Sequence, residues 1–206
     1  MRLRLIISTV FLLSALASCT PTRRFPNLEA PPESTPSPTP VTPKARIDNE
    51  TFLPWASQEP SLIVVDKSCR TLNLYHYGRL SRTYPAVFGR KPGRKVYEGD
   101  QRTPTGLYMI IGKRNPHHRW ARFMLLDYPT EQDVRRYWQN VSAGIVPRRG
   151  DGYRGVGGAI GIHGTDDEVL NRVGIDWTMG CVSLLNSDVK ELSALAPVGT
   201  LVYIKD

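Results

Sequence analysis

The sequence is poor in cysteine and histidine, which narrows the chemistry open to the chain. Three cysteines and four histidines occur among 206 residues. His117 and His118 form an adjacent pair, and His76 lies in an alternating, strand-like segment. Structural zinc sites require ligands at defined spacings, which these histidines lack. The sequence therefore predicts no metal site, and only His163 stands out, at the end of an apolar segment and directly before a glycine.

Nucleic-acid-binding signatures are also missing. The formal net charge is +8 and the pI is about 9.6, which favours anionic partners of any kind. However, there is no finger spacing, no aromatic-rich RNP pattern and no basic helix. The basic residues are scattered along the chain, as expected for a solvated surface. We therefore predict no nucleic-acid partner. The apolar content of 40% is sufficient for a real core.

The apolar stretch near the N-terminus is too short to span a bilayer comfortably. Leu5–Leu16 follows two arginines and leads into Leu-Ala-Ser-Cys at Leu16–Cys19. This ending resembles a bacterial lipobox, which implies cleavage before Cys19 and lipidation of that residue. The alternative is an ordinary signal peptide with a chance cysteine. Thr20 in place of Asp resembles lipoproteins that Gram-negative bacteria send on to the outer membrane. We thus expect a protein of the bacterial cell envelope, anchored to the periplasmic face of that membrane.

The composition divides the chain into three parts. Residues 1–18 are predicted to be the lipoprotein signal peptide. Residues 19–58 begin with the lipidated Cys19 and continue as a tether rich in proline, serine and threonine, with almost nothing to bury. Residues 59–206 are predicted to form the folded domain.

The domain is predicted to be mostly β, in the α+β class. Several apolar or alternating segments indicate strands, and Gly78 closes a hairpin between two of them. Two short helices are expected. One lies in residues 129–140, with acidic residues in its first turn, and the other in residues 186–196, with Asn186 or Ser187 as N-cap and Pro197 stopping it.

Cys181 and His163 are candidates for nucleophilic catalysis. A cysteine attacks as the thiolate, and a neighbouring imidazole can accept its proton. Gly180 would let the main chain turn tightly so that backbone N–H groups hold a developing oxyanion. The residues alone leave an alternative open, because a lone cysteine in a β-branched segment is commonly part of the core and a histidine at a strand end is often only hydrogen-bonded.

The stretch around both residues resembles the signature of the L,D-transpeptidases, the YkuD-type cell-wall enzymes. His163-Gly164 is followed, with fourteen residues between His163 and Thr178, by the segment Thr178–Ser183. The resemblance also covers Gly99–Ile110 ("GDQRTPTGLYMI"), Arg114–Asp133 and the closing helix and strand. It therefore extends over nearly all of residues 60–205. It implies an L,D-transpeptidase-like β-sandwich or barrel with one or two short helices.

The resemblance assigns roles to the residues of the signature. Cys181 is the nucleophile and His163 the base. The backbone N–H groups of Gly180 and Cys181 hold the oxyanion, and Thr178 shapes the turn. A main-chain carbonyl near Gly164 or Thr165 orients the imidazole. No metal or organic cofactor is implied.

Two positions depart from the family pattern. Met179 stands where the family usually has His, and Ser183 where it usually has Arg or Asn. Neither change touches the nucleophile or the base, but both bear on the choice of substrate.

The implied substrate is the tetrapeptide stem of peptidoglycan. The cysteine forms a thioester, D-alanine leaves, and an amine resolves the thioester to give a cross-link or a protein attached to the wall. One alternative is a hydrolase of the same family, either an L,D-carboxypeptidase or an amidase that releases wall-bound protein. The other is a wall-binding lipoprotein without catalysis.

Three further features are left open by the sequence. Cys69 is either a bystander in a turn or a disulfide partner for Cys181. Trp177 either walls the cleft or packs in the core. Residues 117–123 form either a surface loop or a flap over the site. Tyr84 and Tyr108 are expected to pack.

Overall fold

The computed structural model describes residues 58–115 and 119–206. The predicted lipidation site, the tether up to residue 57, and His117 and His118 lie outside these residues. The described part contains ten strands: β1 Leu62–Asp66, β2 Thr71–His76, β3 Arg79–Pro85, β4 Gly106–Arg114, β5 Phe123–Leu126, β6 Arg148–Arg149, β7 Gly152–Tyr153, β8 Gly161–His163, β9 Val182–Ser183 and β10 Leu201–Lys205. Its helices are α1 Glu131–Ser142, α2 Glu168–Arg172 and α3 Asn186–Leu195.

Eight of these strands form one sheet in the order β3-β2-β1-β10-β4-β5-β8-β9, and β6 and β7 form a separate ribbon. The segment that follows β3 returns to the far end of the sheet, where Val87 bridges Ser183 and Gly89 bridges Thr178. Because the chain leaving one end of the strand order pairs with the other end, the sheet curls round. The predicted mostly β fold is confirmed.

The first hairpin follows directly from its turn residues. Tyr77 and Gly78 connect β2 to β3, and both have positive φ angles, 46° and 73°. Two-residue hairpin loops of this kind match the twist of the flanking strands. The predicted hairpin at Gly78 is thus confirmed, and it brings β2 and β3 into antiparallel pairing.

A single large apolar cluster joins the sheet to α3. The strands contribute mainly β-branched and leucine side chains, and α3 contributes Val189 and Leu192, both fully buried. The same cluster includes Ile162 on β8 and Val182 on β9. Burial of these two side chains on the core face directs the neighbouring residues of each strand to the opposite face.

The helix predictions are confirmed with corrections at their ends. The Thr130 side chain caps α1 and exchanges hydrogen bonds with Asp133 in a capping box. The N-cap position of α3 is Leu185, not Asn186 or Ser187, and it provides no side-chain cap. Asn186 is instead the first helical residue, because its amide is engaged by the backbone of Thr165.

The structure adds α2, which the sequence analysis missed. Asp167 caps this helix by accepting a hydrogen bond from Val169 N at 3.0 Å. The helix connects β8 to β9, which pair in parallel, as a crossover between parallel strands requires. None of the helices in the described ranges has the length and apolarity needed to cross a membrane.

Candidate active site

His163 and Cys181 lie on the two adjacent parallel strands at the end of the sheet. His163 is the last residue of β8, and Cys181 immediately precedes β9. Ile162 pairs with Val182 and His163 with Ser183, and Leu184 N donates to the His163 carbonyl at 2.9 Å. Since side chains alternate along a strand, His163 and Cys181 share the face opposite the apolar cluster. Cys181 is two residues before Ser183, the partner of His163, so the two residues lie diagonally across the strand pair.

The imidazole of His163 is held from its Nδ1 side. Nδ1 lies 2.5 Å from the Gly164 carbonyl oxygen. That oxygen can only accept a hydrogen bond, so Nδ1 is the donor, and in the neutral imidazole Nε2 is then the unprotonated nitrogen. A histidine in this tautomer can accept a proton from a thiol.

Aromatic rings surround the same imidazole. Trp120 stacks on it with ring centroids 3.8 Å apart and an interplanar angle of 14°. Trp177 approaches with its edge at 5.7 Å. His163 is only 1% exposed as a result. Trp177 therefore lines the site, and Trp120, from the segment for which flap and surface loop were both open, covers the ring.

The thiol of Cys181 lies in a less polar setting. Its Sγ is 3.7 Å from the carbonyl oxygen of Ala159, in the glycine-rich loop before β8. Burial raises the pKa of the Cys181 thiol to about 11, and a hydrogen bond to the Gly161 backbone and the positive charge of Lys95 only partly oppose this effect. At neutral pH the resting thiol is protonated, so attack requires a base that takes the proton.

Thr178 holds the turn that precedes the cysteine. Its Oγ1 accepts from Gly180 N at 3.1 Å and donates to the Cys181 carbonyl at 2.7 Å. In the resting structure the Gly180 N–H donates within the turn, and its role as an oxyanion donor stays a prediction. The oxyanion role of the Cys181 N–H stays a prediction.

Gly180 is required for a different reason. Its φ of 137° is unfavourable for residues with a side chain, and an added Cβ would lie 2.8 Å from the Arg102 carbonyl oxygen. The glycine thus permits close contact between the nucleophile turn and residues 99–105, the segment with the family-like sequence "GDQRTPT".

Asp100 organises that segment, and the sequence analysis gave it no role. Its carboxylate is 3% exposed, pairs with Lys95 at 2.9 Å and accepts hydrogen bonds from Val96 N at 2.6 Å and Arg102 N at 3.1 Å. A buried aspartate that satisfies several backbone donors fixes the loop against which Gly180 lies. The Gly-Asp pair within the quoted family-like motif was the available signal.

Asp176 anchors the chain just before the turn. It accepts two hydrogen bonds from Arg70, at 2.7 and 3.2 Å, and one from Phe88 N at 2.8 Å. These contacts tie the residues leading to Cys181 to the start of β2 and to the segment after β3.

The two departures from the family pattern differ in location. The Met179 side chain is 58% exposed and lies 3.7 Å from the Gln101 amide nitrogen. Ser183 is fully buried and donates to the Gly164 carbonyl at 3.2 Å. Met179 thus faces solvent beside the site, whereas Ser183 is buried next to His163, its partner on the neighbouring strand.

Other residues considered from the sequence lie apart from this arrangement. Cys69 is exposed, and both it and Cys181 are free thiols, so no disulfide joins them. Tyr84 and Tyr108 are buried in the core, as predicted. His76 contacts Ser61 at 3.0 Å. Across residues 58–115 and 119–206, no group of three or more His, Cys, Asp or Glu side chains is arranged to hold a metal ion.

Comparison with known proteins identifies the family of the folded part. The family model of the L,D-transpeptidase catalytic domain, YkuD, matches residues 60–204. The YkuD proteins of Bacillus licheniformis and Bacillus subtilis, both named as L,D-transpeptidases, are each 29% identical over 146 residues, which cover 70% of this chain and 66% of theirs. The chain thus spans slightly less than two thirds of these relatives.

A solved structure shows the same fold at lower sequence identity. It is the helical cell shape determining protein Pgp2 from Campylobacter jejuni, which superimposes with a TM-score of 0.50 at 19% identity. The match covers 77% of this chain and 55% of that one. On the family match over most of the folded part, the chain belongs to the L,D-transpeptidase (YkuD) family.

Proposed function

We propose that this protein is a cysteine-dependent L,D-transpeptidase that acts on the tetrapeptide stems of peptidoglycan. The observation that carries the proposal is the placement of His163 and Cys181 on one face of two paired strands, with the Gly164 carbonyl 2.5 Å from Nδ1 of the imidazole. This arrangement leaves Nε2 as the nitrogen that accepts the thiol proton. Membership of the family supports the choice of substrate.

The reaction proceeds in two acyl-transfer steps. Nε2 of His163 accepts the proton as Cys181 Sγ attacks the carbonyl that links the third stem residue to the terminal D-alanine. The resulting imidazolium protonates the leaving amine, so D-alanine departs and a thioester remains. An amine then attacks the thioester, and His163 again transfers the proton. The product is a cross-link between two stems or a protein attached to the wall.

The high thiol pKa explains why the base is required. A pKa of about 11, caused by burial, keeps the resting nucleophile neutral. Proton transfer to His163 during the attack therefore generates the thiolate as the new bond to sulfur forms. The surrounding rings of Trp120 and Trp177 limit the access of water to the imidazole.

The main test follows the products of a defined substrate. Purified full-length protein is incubated with a disaccharide-tetrapeptide, and the products are identified by mass spectrometry. We expect release of D-alanine by the wild type and by Cys69→Ala, which removes the exposed free cysteine. Cys181→Ala should release none.

The same spectra separate the related activities. A cross-linked dimer indicates a transpeptidase, whereas a tripeptide alone indicates the hydrolytic alternative. Absence of turnover by a folded wild-type protein would refute the tetrapeptide substrate and would favour a wall-linked protein as substrate or a role in wall binding.

The proposal also includes location in the cell envelope through a lipid at Cys19. Its support is the Leu-Ala-Ser-Cys ending after a short apolar stretch and the proline-rich segment that follows. Multiple acyl chains would hold the protein stably at a membrane. We expect the wild type to incorporate labelled palmitate and to partition into detergent, and Cys19→Ala to do neither. Equal labelling of both proteins would refute the anchor.

A role in cell shape is the broadest part of the proposal. The Campylobacter jejuni protein with the same fold is described as determining helical cell shape. Deletion of the gene for this chain is expected to change cell morphology, and complementation with Cys181→Ala should fail to restore it.

A further inference from the structure

We propose that Ser183, Asn171 and Asn186 are positioning residues that hold the Gly164–Thr165 peptide at both ends and thereby fix the tautomer of His163. The inference rests on the proposed function, since it concerns the base of that reaction. None of these three side chains is assigned a role by the family signature as this sequence carries it. They act through the Gly164 carbonyl, which accepts the hydrogen bond from Nδ1.

The carbonyl end of the peptide is held by a directed chain of hydrogen bonds. Trp177 Nε1 donates to Asn171 Oδ1 at 2.9 Å, and Asn171 Nδ2 donates to Ser183 Oγ at 3.0 Å. The Ser183 hydroxyl then donates to the Gly164 oxygen at 3.2 Å.

The direction of this chain follows from its first member. An indole N–H can only donate, so it orients the Asn171 amide with the oxygen towards Trp177 and the nitrogen towards Ser183. The serine oxygen accepts from that nitrogen, and its single proton is left for Gly164. The Gly164 oxygen therefore receives two donors, one from Ser183 and one from His163, which matches its two lone pairs.

The amide end of the same peptide is held by Asn186. Its Oδ1 accepts from Thr165 N at 3.0 Å, and its Nδ2 donates to the Thr165 carbonyl at 2.8 Å. Gly164 allows this contact, because an added Cβ would lie 2.2 Å from Asn186 Oδ1. With both ends bound, the plane of the peptide cannot rotate to turn the carbonyl away from His163.

Burial makes the arrangement dependent on these side chains. Ser183 is 0%, His163 1% and Asn171 6% exposed. Bulk water therefore does not reach these hydrogen bonds and cannot replace a donor or acceptor that is lost. In such surroundings hydrogen bonds polarise one another, and a missing donor has a large effect.

The consequence concerns which ring nitrogen carries the proton. Two donors on the Gly164 oxygen and a fixed peptide plane favour the form with Nδ1 protonated. Only this form has Nε2 ready to accept the thiol proton of Cys181. Ser183 occupies the position where the family usually has Arg or Asn, and in this chain its short hydroxyl acts together with Asn171 from α2.

The test measures the tautomer and the reactivity of the thiol without peptidoglycan. In the full-length protein labelled with ¹⁵N-histidine, the His163 signals are identified by comparison with His163→Gln. The rate of Cys181 alkylation by iodoacetamide is measured across pH 6–10 by peptide mass spectrometry, which separates Cys181 from the other two cysteines. We expect the wild type to show a protonated Nδ1 and an unprotonated Nε2.

Two variants interrupt the chain of hydrogen bonds at different points. Ser183→Ala deletes the hydroxyl, and Asn171→Asp keeps the size but cannot donate, so the serine proton turns towards the new carboxylate. Each should introduce the other tautomer and reduce alkylation of Cys181 near neutral pH about tenfold. Ser193→Ala, which removes another buried serine hydroxyl, and Asn73→Asp, on the surface of β2, should leave both readouts within about twofold.

Distinct outcomes separate this inference from the proposed function. A wild-type His163 protonated at Nε2 would overturn the inference even if neither variant folds. Unchanged tautomer and alkylation in both variants would also overturn it and leave the residues a purely structural role. A wild type with the expected tautomer and reactivity that fails to release D-alanine would instead refute the tetrapeptide substrate and leave the positioning role supported.

Discussion

At one end of the sheet β1, β2 and β10 have five or six residues each, whereas β8 and β9 at the other end have three and two. The long strands are joined by continuous main-chain pairing and by buried apolar side chains. The short strands have few main-chain bonds and are supplemented by hydrogen bonds that Thr178, Ser183 and Asn186 donate to nearby backbone carbonyls.

This difference separates the part of the fold that contributes most to stability from the part that positions the candidate reactive side chains. Apolar burial depends on area and shape but not on the direction of any group, so it supports the domain without orienting a reactive atom. Hydrogen bonds from side chains to the backbone are directional. They are concentrated at the end where the thiol and the imidazole have to face each other.

Leu74→Ala tests the apolar end and should have the largest effect on stability. Leu74 is fully buried in the core cluster on β2. Removal of its side chain should lower the free energy of unfolding by about 2–5 kcal/mol, as for other leucine truncations in cores. Chemical denaturation gives this value, while D-alanine release by the folded protein should remain within about twofold.

Leu80→Ala on β3 is the control for that change, because Leu80 is 57% exposed. It should shift the unfolding free energy by less than about 0.5 kcal/mol. A large loss of turnover in folded Leu74→Ala would contradict the division of roles between the two ends.

Gly180→Ala tests the catalytic end. The added methyl group would lie 2.8 Å from the Arg102 carbonyl oxygen at a φ of 137°, so the turn must shift and carry Cys181 with it. Displacement of a reacting group by about 1 Å can reduce a rate about 100-fold, and we expect that loss in D-alanine release. Gly112→Ala, where an added Cβ meets nothing within 4 Å, should remain close to wild type. Wild-type turnover in Gly180→Ala would show that the close approach is unimportant.

Alkaline pH should lower the free energy of unfolding through ionisation of Cys181. Burial raises the pKa of this thiol to about 11 from an ordinary value of 9.0. The folded state then holds its proton more tightly than the unfolded state, so the stabilisation is fully present below pH 9 and is lost as the pH rises through 11. The loss should reach at most about 2–3 kcal/mol.

This loss is measured as the difference in unfolding free energy between wild type and Cys181→Ala from pH 8 to 11. Cys69→Ala removes an exposed thiol and should follow the wild type over the same range. Parallel curves for wild type and Cys181→Ala would mean that the folded thiol titrates normally.

Acidic pH should lower the free energy of unfolding through protonation of Asp66, at the end of the sheet with the long strands. Burial alone would raise the pKa of this carboxyl group, but hydrogen bonds from Lys205, the Cys69 backbone and Ser68 outweigh it and lower the pKa well below its usual range. The stabilisation is therefore present above pH 4 and is lost as the pH falls further. Asp66→Asn should lower the free energy of unfolding at pH 7 by about 1 kcal/mol and flatten its decline in acid.

Asp151→Asn changes an exposed aspartate between β6 and β7 and provides the matched control. It should leave the acid dependence of unfolding unchanged. An Asp66→Asn protein with the wild-type acid profile would show that this carboxylate does not hold β1 to β10.

The end of the sheet with the long strands could be predicted from the sequence, because the sequence features that indicate it are local. The β-branched residues of β1, the alternation in β2 and the Tyr77-Gly78 turn each depend on neighbours in the chain. The capping box at Thr130 is local as well. By contrast, Asn186 has the sequence features of an N-cap, but its side chain accepts a hydrogen bond from Thr165 N, twenty-one residues away. No local rule predicts that contact.

Only part of the candidate site could be predicted from the sequence. Cys181 and His163 were found through the signature, and the turn at Thr178 and Gly180 through the glycine. Trp120, Asn171 and Asp100 were missed, because their importance depends on contacts with residues that lie far away along the chain.

The sequence by itself determined the mostly β class, the residues of the signature and the chemical types of the nucleophile and base, since each depends on residue identity and local spacing. Only the tertiary structure decided that the Gly180 N–H donates to Thr178, that Nδ1 of His163 lies against the Gly164 carbonyl and that Ser183 is buried beside it. The physical reason is that hydrogen bonds act at about 3 Å and depend on direction. Their partners are therefore set by how the curled sheet brings β8, β9, α2 and α3 together.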